Sequence, residues 1–363
     1  MSKLHDLHDE QGQSPWLDNM RRGWITGGDL ARWVERGVRG ITSNPTIFQK
    51  AISVGHDYDD QFGELIAGGA SIDDAYWSLV TTDIEDALRI LRPVHDASGG
   101  VDGYVSVEVA PDLARDRDGT IASARELHAR IDEPNLFVKV PATAEGVEAI
   151  RTLVGEGHSI NVTLIFGLDR YEEVMEAYIA GLEAYDGDLS TVTSVASFFV
   201  SRVDTEVDQR LESIGSDAAL ALRGKAAVAQ AQVAYSRFLA RFSGPRWQAL
   251  AERGAKVQRP LWASTSTKNP AYVDTLYVDT LIGPDTVNTM PEATLDAFED
   301  HGTLARTVDA DPAGAEQTLA AIGEAGVDLD DVSRVLEEQG VSSFAKSFDE
   351  LITSLATKAE TLG

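Results

Sequence analysis

Short runs of β-branched and apolar residues alternate along the chain with longer segments whose apolar positions recur at helical spacing. That alternation predicts a parallel sheet joined by crossover helices. Five runs read as strands: Gly40 to Ser43, Gly103 to Glu108, Leu136 to Val140, His158 to Thr163 and Thr191 to Val195. Helices fall between them. Leu30, Trp33 and Val34 follow Asp29 as an N-cap, and Gly37 closes that segment. Ile121, Ala124, Leu127, His128 and Ile131 form one apolar stripe, Val147, Ile150 and Val154 a second, and Tyr171, Val174, Met175, Tyr178, Ile179 and Leu182 a third.

Three less strongly patterned runs, Pro15 to Asp18, Pro260 to Ser264 and Asp285 to Thr289, bring the strands to eight. Eight parallel strands can close on themselves and leave no edge, whereas an open doubly wound sheet keeps its edges and usually carries a Gly-rich nucleotide loop. Neither G-x-G-x-x-G nor a P-loop occurs. The expected architecture is an α/β fold, an eight-stranded parallel (β/α)8 or TIM barrel with extra helices, as one domain over residues 1–363. The count requires Tyr272 to Ile282 to be helical rather than a ninth strand. A helical insertion is expected near 47–100, and Asp217 to Phe242 reads as a single Ala-rich helix. Near 292–363 an acidic helical C-terminal cover is expected, since Asp and Glu outnumber Lys and Arg sixteen to four after Met290.

Composition narrows the chemistry. The 363 residues contain no cysteine, which excludes thiolate metal sites, disulfides and a cysteine nucleophile. The seven histidines are scattered, and only His5 and His8 lie close together, on an N-terminal stretch expected to be a mobile tail. Neither a metal nor a cofactor is expected. Met1 to Gln13 lacks the apolar core of a signal peptide and no run is long enough to span a bilayer, so a cytoplasmic location is the expectation. A net charge of -28 opposes binding to nucleic acid or an anionic membrane. It also sets a condition: a phosphorylated substrate would need a local cluster of cations and backbone N–H groups.

Lys139 lies in Leu136-Phe137-Val138-Lys139-Val140-Pro141, a strand with no polar face. Withdrawal from water penalises the ammonium form, and a neutral amine attacks carbonyls; pairing with a carboxylate is the structural alternative. Other strands end in polar residues where a barrel keeps its active site: Asp18, Ser43 and Asn44, Glu108, Asn161 with Thr163, Ser197 after the sixth strand, and Ser264. Singly, these are turn, cap or backbone-bonded residues. Together they ring one lysine.

The segments Ile41-Thr42-Ser43-Asn44-Pro45-Thr46, Val138-Lys139-Val140-Pro141-Ala142-Thr143, Asn161-Val162-Thr163-Leu164-Ile165-Phe166, Trp262-Ala263-Ser264-Thr265-Ser266-Thr267-Lys268-Asn269-Pro270 and Asp285-Thr286-Val287-Asn288-Thr289-Met290-Pro291 resemble the transaldolase family. The likeness keeps its order from about Trp16 to Phe298. It implies that Lys139 is the Schiff-base lysine, Asp18 the general acid/base at the cleaved bond, and Glu108 with Thr163 the pair that positions a water. It further implies that Asn44, Asn161 and Ser197 hold substrate hydroxyls, while Arg202 and Ser264 contact phosphate. Lys268 stands where other members carry arginine, and a lysine is a point charge without the bidentate fork.

The implied reaction transfers a dihydroxyacetone unit from sedoheptulose 7-phosphate or fructose 6-phosphate to glyceraldehyde 3-phosphate or erythrose 4-phosphate, in the pentose phosphate pathway. The expected partners are these sugar phosphates, and the enzyme is expected as a monomer or homodimer. A Schiff-base aldolase on the same barrel, releasing the three-carbon unit, is the nearest rival. A non-catalytic sugar-phosphate-binding barrel is opposed by the buried lysine, and a metal-dependent lyase by the lack of clustered histidines. For Arg202, an ion pair with Asp204 or Glu206 is the alternative role.

Overall fold

In the computed structural model, which describes residues 2–362, eight strands form a closed, wholly parallel barrel in chain order. They are β1 (Gln13–Leu17), β2 (Gly40–Ile41), β3 (Tyr104–Glu108), β4 (Leu136–Pro141), β5 (Ile160–Ile165), β6 (Ser194–Phe199), β7 (Arg259–Ala263) and β8 (Thr286–Met290). The last strand pairs with the first from Gln13↔Thr286 to Leu17↔Met290, which closes the ring. This is the (β/α)8 TIM barrel.

The helices are α1 (Lys3–Asp9), α2 (Arg22–Thr26), α3 (Asp29–Arg36), α4 (Pro45–Ser53), α5 (Asp59–Ala67), α6 (Ile72–Ala97), α7 (Arg117–Ile131), α8 (Ala144–Gly155) and α9 (Leu168–Ala184). They continue as α10 (Ser201–Ile214), α11 (Asp217–Leu220), α12 (Ala226–Arg241), α13 (Gly244–Ala251), α14 (Leu276–Asp279), α15 (Glu292–His301), α16 (Pro312–Glu324) and α17 (Leu329–Leu362). Among the described residues no helix is long and apolar enough to cross a membrane.

The barrel interior is filled in layers, as the alternation of side chains along parallel strands requires. At the N-terminal end, buried Asp102 accepts from Ser14 at 2.8 Å, Arg39 at 2.7 Å and Arg259 at 3.0 Å. Burial alone would raise the Asp102 pKa, but the two guanidiniums hold it down at about 2. Above this cage the rings of Tyr104 and Phe137 stack at 4.1 Å, with Trp16 tilted 6.2 Å from Phe137. Gly40 makes room for that layer, because a Cβ there would collide with the Trp16 ring. The polar residues at the other end of the strands therefore stand on a packed floor.

Several expectations are corrected. The N-terminal stretch is ordered: Ser2 caps α1, and Leu4 and Leu7, three residues apart on one helix face, are buried. Asp29 is the first residue of α3, and Gly28, in the left-handed region, is its N-cap. The segment 217–242 is two helices, because Gly224 turns the chain at φ +68° between α11 and α12. Only Leu276–Asp279 of the stretch 272–282 is helical. β5 and β6 begin two and three residues later than their β-branched runs suggest, so Ser197 lies inside β6, paired with Leu261, and does not follow it. The acidic C-terminal segment is helical as α15, α16 and α17, and α17 buries Leu336, Phe344, Leu351 and Leu355 and packs against α4, α6 and α10.

One feature away from the barrel mouth sets acid stability. The His128 and His158 rings stack with centroids 4.4 Å apart, and His128 Nε2 is buried without a hydrogen-bond partner among the described residues. Burial first, then the neighbouring imidazole, pushes the His128 pKa down to about 3. The unfolded chain binds this proton near pH 6.5 and the folded chain does not, so the contribution is complete above 6.5 and is lost as pH falls towards 3. We expect His128→Phe to flatten the decline of Tm between pH 6.5 and 4.5, with a difference in slope of at most about 1.4 kcal/mol per pH unit. Parallel melting curves for the two proteins across that range would refute this assignment.

Candidate active site

The C-terminal ends of the strands open into a cavity of about 760 Å³. Lys139, 4% exposed, reaches it from β4, donating to the Ser43 carbonyl at 3.0 Å. Its Nζ lies 3.2 Å from Glu108 Oε2, in ion-pair range. The register explains that meeting, since Glu108, Lys139 and Asn161 are level on β3, β4 and β5 and so face the same way. Burial raises the Glu108 pKa, and the Lys139 charge opposes that rise. A carboxyl whose protonated form is favoured by burial can pass that proton to an atom bonded to the amine.

Asp18 follows β1 and accepts from Thr42 Oγ1 at 2.8 Å, and Thr42 Oγ1 lies 2.7 Å from Thr289 Oγ1. Burial raises the Asp18 pKa, while the Thr42 hydroxyl and the charges of Lys139, Lys268 and Arg202 all pull it down. Those opposing influences suit a group that both takes and returns a proton. Thr163 is aimed by an irregularity in β5: pairing with β6 slips between Val162 and Ile165, and Leu164 adopts φ +60°. The Thr163 Oγ1 is buried and bonded to nothing among the described residues. An unsatisfied hydroxyl beside a cavity is a natural anchor for water or substrate.

On the adjoining wall, Ser197 donates to Asn161 Oδ1 at 2.7 Å, and Asn161 Nδ2 donates to Ser106 Oγ at 3.0 Å. Asn44 Oδ1 caps α4 by accepting from Ile47 N at 3.0 Å, so the cap role and the site position coexist in one residue. Arg202 occupies the first turn of α10. The ion pairs considered for it are not formed among the described residues: Asp204 accepts from Tyr277 at 2.7 Å and from Ala227 N at 2.8 Å, and Glu206 pairs with Arg210 at 2.8 Å. Ser264, at φ +56°, is 2.9 Å from Ser201 through their hydroxyls. Lys268 donates to Ser266 Oγ at 2.7 Å. Tyr272 adds a bond to Asp208 at 2.5 Å, so the loop after β7 is tied to α10 from both ends.

Of the ten residues singled out from sequence, Asp18, Asn44, Lys139, Thr163, Ser197, Arg202, Ser264 and Lys268 line the one cavity. Glu108 and Asn161 stand behind its wall and meet it through Lys139 and Ser197. Sequence reasoning missed two more cations in the lining, Arg21 and Lys50, and a contribution of Ser343 and Phe344 from α17. Lys50 could have been found by continuing the helical face of the motif that starts at Asn44. Nothing in the acidic tail distinguishes Phe344 from its other apolar residues. Among the described residues no group of three or more His, Asp or Glu is gathered as metal ligands would be.

The sequence matches known proteins over nearly all of its length. The model of the transaldolase/fructose-6-phosphate aldolase family matches residues 15–355. A transaldolase of Parafrankia sp. is 52% identical over 361 residues, covering 98% of both chains. One of Thermobifida fusca is 51% identical over 360 residues, again 98% of both, and one of Mycobacterium leprae 50% over 347, which is 94% of this chain and 92% of that protein. With the family model covering residues 15–355 and relatives about half identical over nearly the full length, the chain belongs to the transaldolase/fructose-6-phosphate aldolase family and is one of its enzymes.

Proposed function

We propose that the enzyme transfers a dihydroxyacetone unit from a ketose phosphate, sedoheptulose 7-phosphate or fructose 6-phosphate, to an aldose phosphate, glyceraldehyde 3-phosphate or erythrose 4-phosphate, through a Schiff base on Lys139. Such a transfer is a step of the pentose phosphate pathway. The observation that carries the reading is a buried amine at the floor of one cavity, 3.2 Å from a carboxyl with a raised pKa and beside a second, Asp18.

The Lys139 amine adds to the donor C2 carbonyl, and the resulting hydroxyl leaves as water with a proton from Glu108, giving an iminium. Thr163 holds that water. Asp18 takes the proton of the C4 hydroxyl as the C3–C4 bond breaks, and the bond's electrons pass into the iminium to leave an enamine and a free aldose. The acceptor aldehyde enters, C3 of the enamine attacks it, Asp18 returns the proton, and water released against Glu108 hydrolyses the new iminium. No cofactor is called for, because the iminium is the electron sink. Asn44, Asn161 and Ser197 are assigned to the hydroxyls of the three-carbon unit, and Arg202, Ser264 and Lys268 to the phosphate.

Borohydride reduction in the presence of fructose 6-phosphate, followed by peptide mass spectrometry, tests this. The expected adduct is on Lys139; an adduct on another lysine, or none, refutes the mechanism. Free dihydroxyacetone formed as fast as donor is consumed, with no dependence on an acceptor, would instead identify an aldolase. For the phosphate site, Arg202→Ala is expected to raise KM for phosphorylated donors far more than for fructose, by about 2–4 kcal/mol in kcat/KM. An equal loss with both donor types would remove Arg202 from that site.

A further inference from the structure

α4 leaves its Asn44 cap and turns Thr46, Ile47, Lys50 and Ala51 towards the cavity, the spacing of a single helix face, and Val54, extended just after the helix, joins them. Lys50 brings the one charge to that face, and the Thr46 hydroxyl is taken up by Ser347 at 2.8 Å. In a protein of net charge -28, most Lys and Arg side chains stand in ion pairs, as Arg22 does with Asp83 and Arg246 with Glu183. Lys50 has no carboxylate partner among the described residues, and neither do Arg202 and Lys268, which line the same cavity. Lys268 feels the other two: burial first, then Arg202 and Lys50, disfavours its ammonium, with Asp18 opposing them. Arg202 is partly buried, whereas Lys268 and Lys50 are exposed at the rim. Cations without a carboxylate partner in the lining of one cavity, which Asp18, Asp57 and Glu292 also line, cost free energy that a bound anion would offset.

We propose that Lys50 is a specificity-determining contact that extends the phosphate site outward from Arg202, by way of Lys268, and favours sedoheptulose 7-phosphate and erythrose 4-phosphate over the substrates one carbon shorter. This rests on the Schiff-base reading, which pins donor C2 to Lys139 and the acceptor's aldehyde carbon to C3 of the enamine. With that end fixed, each added carbon carries the phosphate one bond further towards the rim. A single guanidinium cannot meet both positions equally well, and a guanidinium with exposed cations at the rim can. Lysine suits the outer place, because a mobile point charge adapts to a phosphate whose position varies.

The test compares kcat/KM for sedoheptulose 7-phosphate and for fructose 6-phosphate in the unmodified enzyme, Lys50→Ala and Lys50→Arg. In a two-stage transfer the donor's kcat/KM reports the first stage alone, so the choice of acceptor does not blur the comparison. The ratio of seven- to six-carbon donor is expected to fall about three- to tenfold in Lys50→Ala, chiefly through KM, and to recover in Lys50→Arg. Added salt should erode the same ratio in the unmodified enzyme, since the contact is exposed. A loss shared equally by both donors, or an unchanged ratio, would overturn the assignment and leave Lys50 as a cation complementing the C-terminus of α4. Failure of the Schiff-base reading would look different: the unmodified enzyme would give no Lys139 adduct with either donor.

Discussion

Lys139→Met is expected to abolish transfer, lowering kcat/KM by roughly 10⁴- to 10⁶-fold, and to leave nothing for borohydride to trap. Methionine keeps most of the length and apolar volume of the lysine stem, so the layer of Phe137 and Tyr104 beneath it need not repack. The electrostatic consequence falls on Glu108. Its pKa, already raised by burial, loses the one cation that opposes the rise, and the carboxyl takes up a proton instead of remaining a buried unpaired anion. The variant should therefore unfold cooperatively, with a modest loss of stability that grows as pH rises and the Glu108 proton is lost. Sign and cause agree: a carboxyl whose folded pKa exceeds its unfolded value contributes less stability at higher pH. Lys50 and Lys268 also line the cavity. If the variant keeps a substantial fraction of its activity and reduction labels either of them, the amine has been assigned to the wrong residue.

Much of this site was legible because a parallel barrel gathers strand ends. A lysine flanked by Val138 and Val140 has no solvated face in any strand, and polar residues at the ends of six other strands can meet it only if the sheet closes. Where the reading slipped, a local signal competed with a tertiary one. Val192, Thr193 and Val195 drew the start of the sixth strand too early, whereas its register is set by Phe198 against Trp262. The helix Lys3–Asp9 is too short for a period to be counted, and its two leucines acquire meaning only from the protein they cover. Alanine-rich propensity hid the turn at Gly224. Phe344 reaches the cavity from the long C-terminal helix, some 180 residues beyond Thr163 in the chain, and no local pattern encodes an approach of that kind.

Asp18→Ala is expected to leave imine formation intact and to stop the reaction one step later. Glu108, Lys139 and Thr163 do not depend on Asp18 for their positions: Lys139 is held by Ser43 and Glu108, and Thr163 by the irregularity in its strand. Thr42, which donates to Asp18, retains Thr289 at 2.7 Å, so little of the local structure should be disturbed. Carbon–carbon cleavage nevertheless requires removal of the C4 hydroxyl proton while the iminium exists, and Asp18, one of the carboxylates lining the cavity, lies within the fields of Lys139, Lys268 and Arg202. The turnover number should fall by about 10²- to 10⁴-fold with little change in donor binding. Reduction with borohydride should then trap the donor on Lys139 at its full six- or seven-carbon mass. Asp18→Asn should behave alike, since it keeps the hydrogen bond from Thr42 but cannot accept the proton. A trapped adduct of three carbons in either variant would mean that the bond breaks without Asp18, and the base would have to be sought in Glu108, the other carboxyl beside Lys139.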